Sequence, residues 1–498
     1  MPSWWPWAAP ALLMLGLGLW GVDRGGSLYS GEAATFWAAH LSWSRLWLFL
    51  HTVDAVHGTY YGLMHLVFAL GSNPVVLRLP SVAGAVGSVI LTAVLAARLG
   101  ASRLLAFTAA TLVALSPSVN EYAQNGRSYA LVMMGTLLAS LALLRAVRTD
   151  RPGDGWARVA LRWVAYAAVL TLCGYLHELS LYLLLPAHGV SLLWARVGPR
   201  RFLAWLASAA VAATLVLPLV LVSVREDRAV GVLPVPGWSS LAALATVVLG
   251  SSAAVAAVLG LLAVVGAVAG RVPAGPGLPR RLTLPVLAVP LLLVPPALMV
   301  AESRLGKSLW DDRYLLFVLP GAMLLAAGGV NALARLLRGA RLRRLVWLPV
   351  VVVLALTASL QWSQQQWLRT PGSRGWDMIA AADYLHRHAR PGDGVDYLPR
   401  DYNYLPEVYP WAVRDAQQFR LRVSPAASAT LHGLPRHGPA LRTAMLAHDR
   451  IWLVGNPHRQ GRPGRLSRLG PFYRHHYALR SAHRWRGISV LLFVRTRR

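Results

Sequence analysis

Residues 121–150 run EYAQNGRSYALVMMGTLLASLALLRAVRTD, and the three parts of this stretch decide the fold. A polar segment, 121–127, opens onto an apolar run, 128–147, whose first charge is Arg145, and Arg148 and Arg151 follow it. A helix needs about 20 apolar residues to cross the hydrocarbon core, because lipid offers no partner to exposed backbone groups. Basic residues collect at the cytoplasmic end of such a span. The stretch is therefore expected to be a membrane helix with a polar outer end and an Arg-rich cytoplasmic end.

The pattern recurs along the chain. Apolar runs fall at roughly 4–22, 75–97, 104–118, 128–147, 161–176, 179–195, 202–224, 239–269, 283–301, 314–334 and 345–361, which predicts about 11 spans. Of the 498 residues 56% are hydrophobic and 14% charged, far from the balance of a soluble globular chain. The first run lacks a basic leader and a small-residue cleavage site, so it is expected to stay as a helix. Every second loop is rich in Arg: Arg98 and Arg103; Arg145, Arg148, Arg151, Arg158 and Arg162; Arg196, Arg200 and Arg201; Arg271, Arg280 and Arg281; then Arg335, Arg338, Arg341, Arg343 and Arg344. These loops are expected to be cytoplasmic. Asp23, Glu32, Asp54, Glu121, Glu178, Glu226, Asp227, Glu302, Asp311 and Asp312 all map to the opposite face. Carboxylates at a membrane edge are costly and mark functional sites, although outer loops also tolerate solvated acids. Only two or three of these are expected to do chemistry.

The net charge of +29 invites a nucleic-acid interpretation, but the basic residues sit in short topogenic loops or across the tail, with no RNA-module pattern. No nucleic-acid partner is predicted. Arg carries all but one of the basic charges, Lys307 being the exception, as in a GC-rich bacterial gene. The single cysteine, Cys173, rules out an internal disulfide. Residues 32–50 are expected to form one amphipathic helix with Trp37, Trp43 and Trp47 in the headgroup layer, and 57–70 a second helical piece. After Gln361 the apolar runs stop. A helix is predicted over 376–388, a turn at 390–393, and strands at 450–455 and 488–495. The expected architecture is an all-α polytopic membrane domain, 1–361, followed by a small α/β domain, 362–498. An odd span count puts that second domain outside the cytoplasm.

Some motifs lead nowhere. Gly16, Gly18 and Gly21 satisfy a dinucleotide-binding pattern but lie within the first span, with no preceding strand. His386, His388, His475 and His476 lack ligand spacing, so no transition-metal site is predicted. What remains is a constellation on the outer face: Ser30-Gly31-Glu32-Ala33, Asp54, His57-Gly58-Thr59-Tyr60-Tyr61, Arg78-Leu79-Pro80-Ser81, Tyr122 to Tyr129, and Asp312-Arg313-Tyr314. In order and placement these segments resemble GT-C membrane glycosyltransferases of the protein O-mannosyltransferase and aminoarabinose-transferase type, over most of residues 20–330. Gly31 stands where that family has the Asp of an Asp-Glu pair, Gly58-Thr59 replaces Pro-Pro, and Asn125 replaces a frequent Glu.

The resemblance implies inverting transfer of a sugar, mannose being one candidate, from a polyprenyl-phosphate donor to an envelope acceptor at the outer face. Glu32 or Asp54 would take the proton from the acceptor hydroxyl. Arg127 and Arg313 would hold the donor phosphate, since guanidinium matches phosphate oxygens in a fork. His57, Tyr60, Tyr61 and Tyr314 would line the site. Each assignment has a plainer counterpart: Arg127 and Arg313 can pair with Glu121, Asp311 or Asp312, a Tyr can be an interfacial anchor, and His177-Glu178 can be a local hydrogen-bonding pair. No cofactor is predicted, and a divalent cation is left open. The expected partners are the lipid-linked sugar, the bilayer and the acceptor. The rival functions are a flippase for lipid-linked precursors and an inactive envelope scaffold.

Overall fold

In a computed structural model the described residues are 5–149, 155–226, 233–270, 272–339, 342–398, 403–456 and 466–496. The chain opens with helices α1 (Trp5–Leu19), α2 (Ser30–Ala39), α3 (Trp43–Leu50) and α4 (Gly58–Val67). Next come α5 (Pro74–Arg98), α6 (Arg103–Leu115), α7 (Pro117–Ala123), α8 (Tyr129–Ala146), α9 (Trp156–Leu176), α10 (Glu178–Trp194) and α11 (Pro199–Arg225). Then follow α12 (Trp238–Leu249), α13 (Ala253–Ala269), α14 (Leu284–Leu305), α15 (Leu319–Gly339), α16 (Leu348–Leu360) and α17 (Trp362–Trp367). Two compact units result: Met1–Trp20 with Arg78–Gln366, and Gly21–Leu77 with Trp367–Arg498.

The first unit is the membrane body. Among the described residues, seven helices are long and apolar enough to cross a bilayer, and nine if each of two bent pairs counts as one span. The sequence suggested about 11. The run at 179–195 forms the 17-residue α10, and the run at 345–361 forms only the 13-residue α16. The runs at 104–118 and 239–269 bend by 63° and 76°. The first bend has a local cause: Ser116 caps α7 by accepting from Val119 N, and Pro117 supplies no N–H to continue α6. At the second, Gly250 takes a φ of 148° that a side chain disfavours, and Ser252 caps α13. Hydropathy averaging sees neither break.

The span at Asp312–Gly339 is 94% buried and α11 only 22%, which places α15 at the centre of this unit and α11 at its lipid-facing edge. Close approach makes the centre possible. A Cβ on Gly266 of α13 would overlap the Leu325 carbonyl, and one on Gly329 the Leu262 carbonyl. Small residues let helix backbones meet where lipid removes the hydrophobic drive for association.

The second unit is α/β. Its five-stranded sheet runs β2–β1–β5–β7–β6, from β1 (Asp393–Leu398), β2 (Ala416–Gln417), β5 (Arg450–Gly455), β6 (Tyr477–Trp485) and β7 (Ile488–Arg495). Strands β3 (Leu421–Val423) and β4 (Leu434–Pro435) form a separate pair. The predicted strands correspond to β5 and β7, and the predicted helix to α18 (Met378–His388). β1 escaped the sequence because its residues, DGVDYL, are buried without alternation and include two acids. Both acids are matched: Asp393 accepts from Trp452 Nε1 at 2.7 Å and pairs with Arg450, and Asp396 receives two Arg420 N–H groups at 2.5 Å.

Ala33 and Ala34 of α2 share one core with Leu385, Val395, Trp452 and Val490. The Tyr409 hydroxyl receives Leu28 N at 2.9 Å and donates to the Gly26 carbonyl at 2.8 Å. Residues 21–77 are thus built together with the C-terminal sheet, a grouping that a division along the chain at 361 does not capture. The expected single amphipathic helix over 32–50 is instead two, α2 and α3, broken at His40–Ser42. Trp37 is buried at 5%, so it cannot sit in headgroups, whereas Trp43 and Trp47 are 54% and 65% exposed.

Candidate functional site

In the second unit the two candidate carboxylates have different surroundings. Glu32 is fully buried at N3 of α2, where its Oε2 accepts from Arg24 Nη2 at 2.6 Å and, at 3.5 Å, from Tyr29 N. That is a reciprocal helix cap joined to a buried ion pair. Arg24 is itself only 2% exposed, and neither it nor Tyr29 was singled out from the sequence. The neighbouring Gly31 has a steric reason: a Cβ there would lie 2.8–3.0 Å from the Tyr29 phenol ring and hydroxyl. The Tyr29 ring occupies the space that a side chain at position 31 would need.

Asp54 is half-buried and left-handed, with φ 62° and ψ 25°, at the head of a short 3₁₀ turn, Ala55–His57. Asp tolerates this region better than most side chains. The Tyr61 hydroxyl donates to Asp54 Oδ2 at 2.8 Å, and the His57 ring is 6.0 Å from that of Tyr61. Tyr60 and Tyr61 are 1% and 0% exposed, so neither is the interfacial anchor considered from the sequence. The fold thus brings Asp54, His57 and Tyr61 together.

The first unit contains a basic, aromatic cluster at the start of α8 and at the entry to α15. Asp311 caps the 3₁₀ turn Asp312–Val318, accepting from Arg313 N at 3.2 Å, and its Oδ2 pairs with Arg313 Nη2 at 2.8 Å. The salt bridge weighed from the sequence is therefore present. The Arg313 guanidinium also lies over two rings, 5.9 Å from the Tyr129 centroid and 5.2 Å from that of Tyr314. The ring of His177, in the break between α9 and α10, is tilted against those of Tyr314 and Tyr129, with centroids 4.7 Å and 6.0 Å away. Arg127 is buried just before α8, and its carbonyl accepts from Ser81 Oγ at 3.0 Å.

Electrostatics ties these groups together. Burial first, then the charges of Arg127 and Arg313, push the His177 imidazolium down to about pKa 3, so His177 is a neutral imidazole in ordinary conditions. Burial likewise raises the Asp311 carboxyl above its usual range, with Arg313 opposing it. Tyr129, His177, Ser180, Arg313 and Tyr314 line a small cavity of about 10 Å³, room for about one water. Tyr129 closes one of the sequence motifs and His177 was weighed as half of a local hydrogen-bonding pair with Glu178, but only the fold shows them sharing a pocket with Arg313. Among the described residues no group of three or more His, Cys, Asp or Glu is placed to hold a metal ion.

No family model and no curated protein matches this chain. Solved structures do. ArnT from Cupriavidus metallidurans in the apo state aligns over 97% of this chain and 97% of that one, with a TM-score of 0.58 and 14% identity. ArnT bound to undecaprenyl phosphate aligns over 99% and 98%, with a TM-score of 0.53 and 13% identity. The apo oligosaccharyltransferase of Archaeoglobus fulgidus aligns over 95% and 71%, with a TM-score of 0.52 and 11% identity. The chain has the GT-C fold. At such coverage the GT-C likeness extends over nearly the whole chain, and with the apolar helices it makes this a multi-pass membrane protein.

Proposed function

We propose that this GT-C protein is a membrane glycosyltransferase that moves a sugar from a polyprenyl-phosphate donor to a hydroxyl of an envelope acceptor, with inversion. The acceptor oxygen attacks the anomeric carbon, the bond from that carbon to the phosphate oxygen breaks, and the polyprenyl phosphate leaves with its electron pair. A carboxylate takes the hydroxyl proton. The observation that carries this is the pairing of Arg127 and Arg313 around an uncharged His177 at the head of two membrane helices. Two guanidinium groups held without a third positive charge suit an incoming lipid phosphate and the charge that develops as it leaves. Tyr314 helps position Arg313, whose guanidinium lies 5.2 Å from the centroid of its ring.

For the base, Asp54 is favoured over Glu32. Glu32 is enclosed and committed to Arg24, whereas Asp54 is half-exposed beside a phenol that can steady it. His57 and Tyr60 complete the surroundings of Tyr61. In this account the second unit and the polar helix ends face the outside of the plasma membrane, and the Arg-rich loops face the cytoplasm. Mannose and pentoses are both candidate sugars. Comparative mass spectrometry of envelope glycans tests the proposal. Deleting the gene, or replacing it with Arg127→Gln/Arg313→Gln, should remove the same sugar substituent. Unchanged glycans in the deletion strain would contradict it.

A further inference from the structure

The first unit has a second basic feature, at the other ends of α8 and α9 from Arg127 and His177. Arg98 ends α5, Arg145 lies in the last turn of α8, Arg148 lies just past it, and Arg162 is in the second turn of α9. All four line one cavity of about 830 Å³, with apolar walls that include Leu138 and Leu141. Leu138 is 40% exposed, so the apolar wall is open to the surroundings of the helix bundle. The rim is built rather than frayed: Thr149 N donates to the Gly277 carbonyl at 2.8 Å, pinning the end of α8 to the loop before α14. Gly277, at φ 77°, leaves the room in which the Arg148 guanidinium lies. Among the described residues no carboxylate is ion-paired with Arg98, Arg145 or Arg148.

Topology alone accounts for Arg in these loops, but it does not require four of them, from three helices, to converge on one apolar groove. An 18-residue helix rises about 27 Å, so this groove and the Arg127–His177–Arg313 cluster lie at opposite edges of the bilayer core. We propose that the groove is a binding site for an anionic phospholipid carrying two phosphates, of the cardiolipin type. Its phosphates lie between the guanidinium groups and its acyl chains lie along the Leu138–Leu141 wall. Four Arg supply four forks, two for each phosphate. A groove open across three helices accommodates several chains rather than one. Basic pockets between membrane helices take such headgroups on general electrostatic grounds.

The test is native mass spectrometry of the full-length, delipidated protein titrated with cardiolipin, phosphatidylcholine or undecaprenyl diphosphate. Cardiolipin should bind at least tenfold more tightly than phosphatidylcholine. Arg98→Gln/Arg145→Gln/Arg148→Gln should lower cardiolipin affinity at least tenfold and leave phosphatidylcholine unchanged. Equal binding of cardiolipin and phosphatidylcholine by the wild type would overturn the proposal even if the triple variant fails to fold. Wild-type cardiolipin affinity in a folded triple variant would also overturn it. So would displacement of cardiolipin by equimolar undecaprenyl diphosphate, which would identify the occupant as a carrier lipid.

Discussion

Replacing Glu32 by Gln should unfold the second unit more than it slows any chemistry. Glu32 and Arg24 are 0% and 2% exposed and 2.6 Å apart, and Tyr29 N completes the cap. Gln preserves shape and can still accept a hydrogen bond, but it removes the carboxylate charge that faces the buried Arg24 guanidinium. Breaking a buried pair by removing one partner costs about 3–5 kcal/mol, because desolvation of the remaining ion is no longer offset. The second unit contains about 190 residues, for which each kcal/mol moves the melting temperature by about 2–4 °C. The expected loss is therefore about 6–20 °C in the transition of that unit, followed by tryptophan fluorescence in detergent. The double variant Arg24→Leu/Glu32→Leu should recover most of it, since a well-packed apolar pair is often neutral relative to a buried ion pair. A Glu32→Gln protein melting within ~2 °C of wild type would refute the argument, as would a double variant whose loss is the sum of the single losses.

Arg313→Lys should weaken binding of a polyprenyl-phosphate analogue by about 1.5–3 kcal/mol, because an ammonium keeps the charge but loses the fork; unchanged affinity in calorimetry would remove Arg313 from the donor site. His177 binds its proton with a pKa of about 3 in the fold and near 6.5 when unfolded, so the unfolded chain holds more protons between those values. Its contribution to stability is full above pH 6.5 and is lost progressively as pH falls toward 3, and His177→Asn should flatten that part of a denaturation-against-pH curve. Gly31→Ala should cost about 1–3 kcal/mol by pushing a Cβ into the Tyr29 ring, read by chemical denaturation. A cysteine at Gly155 should resist an impermeant thiol reagent on intact cells, and its labelling would reverse the proposed orientation.

The membrane architecture was legible because lipid imposes one rule on composition, and runs such as 128–147 obey it. The span count was less legible, because Ser116-Pro117 and Gly250–Ser252 break helices inside runs whose average hydropathy is unbroken. The strands at 450–455 and 488–495 announced themselves by apolar β-branched residues. β1 did not, since its acids are neutralised by Arg420 and Arg450 from distant parts of the chain. At the candidate sites the motifs pointed to Asp54, Tyr61 and Arg313, yet nothing local showed that Glu32 would be enclosed by Arg24. Nor could spacing place His177 against Tyr314, more than a hundred residues away. Partners of that kind are chosen by tertiary packing, which periodicity does not encode.

The central claim is sugar transfer from a lipid-linked donor, and the most direct measurement is transfer by the purified full-length protein from polyprenyl-phosphate sugars to a delipidated envelope extract. Wild type should transfer at least one sugar. Asp54→Asn should lower the turnover roughly 10²–10⁴-fold while its melting temperature and donor affinity stay at wild-type values, as loss of a proton acceptor requires. No transfer by wild type from any such donor, or wild-type turnover in Asp54→Asn, would contradict the account.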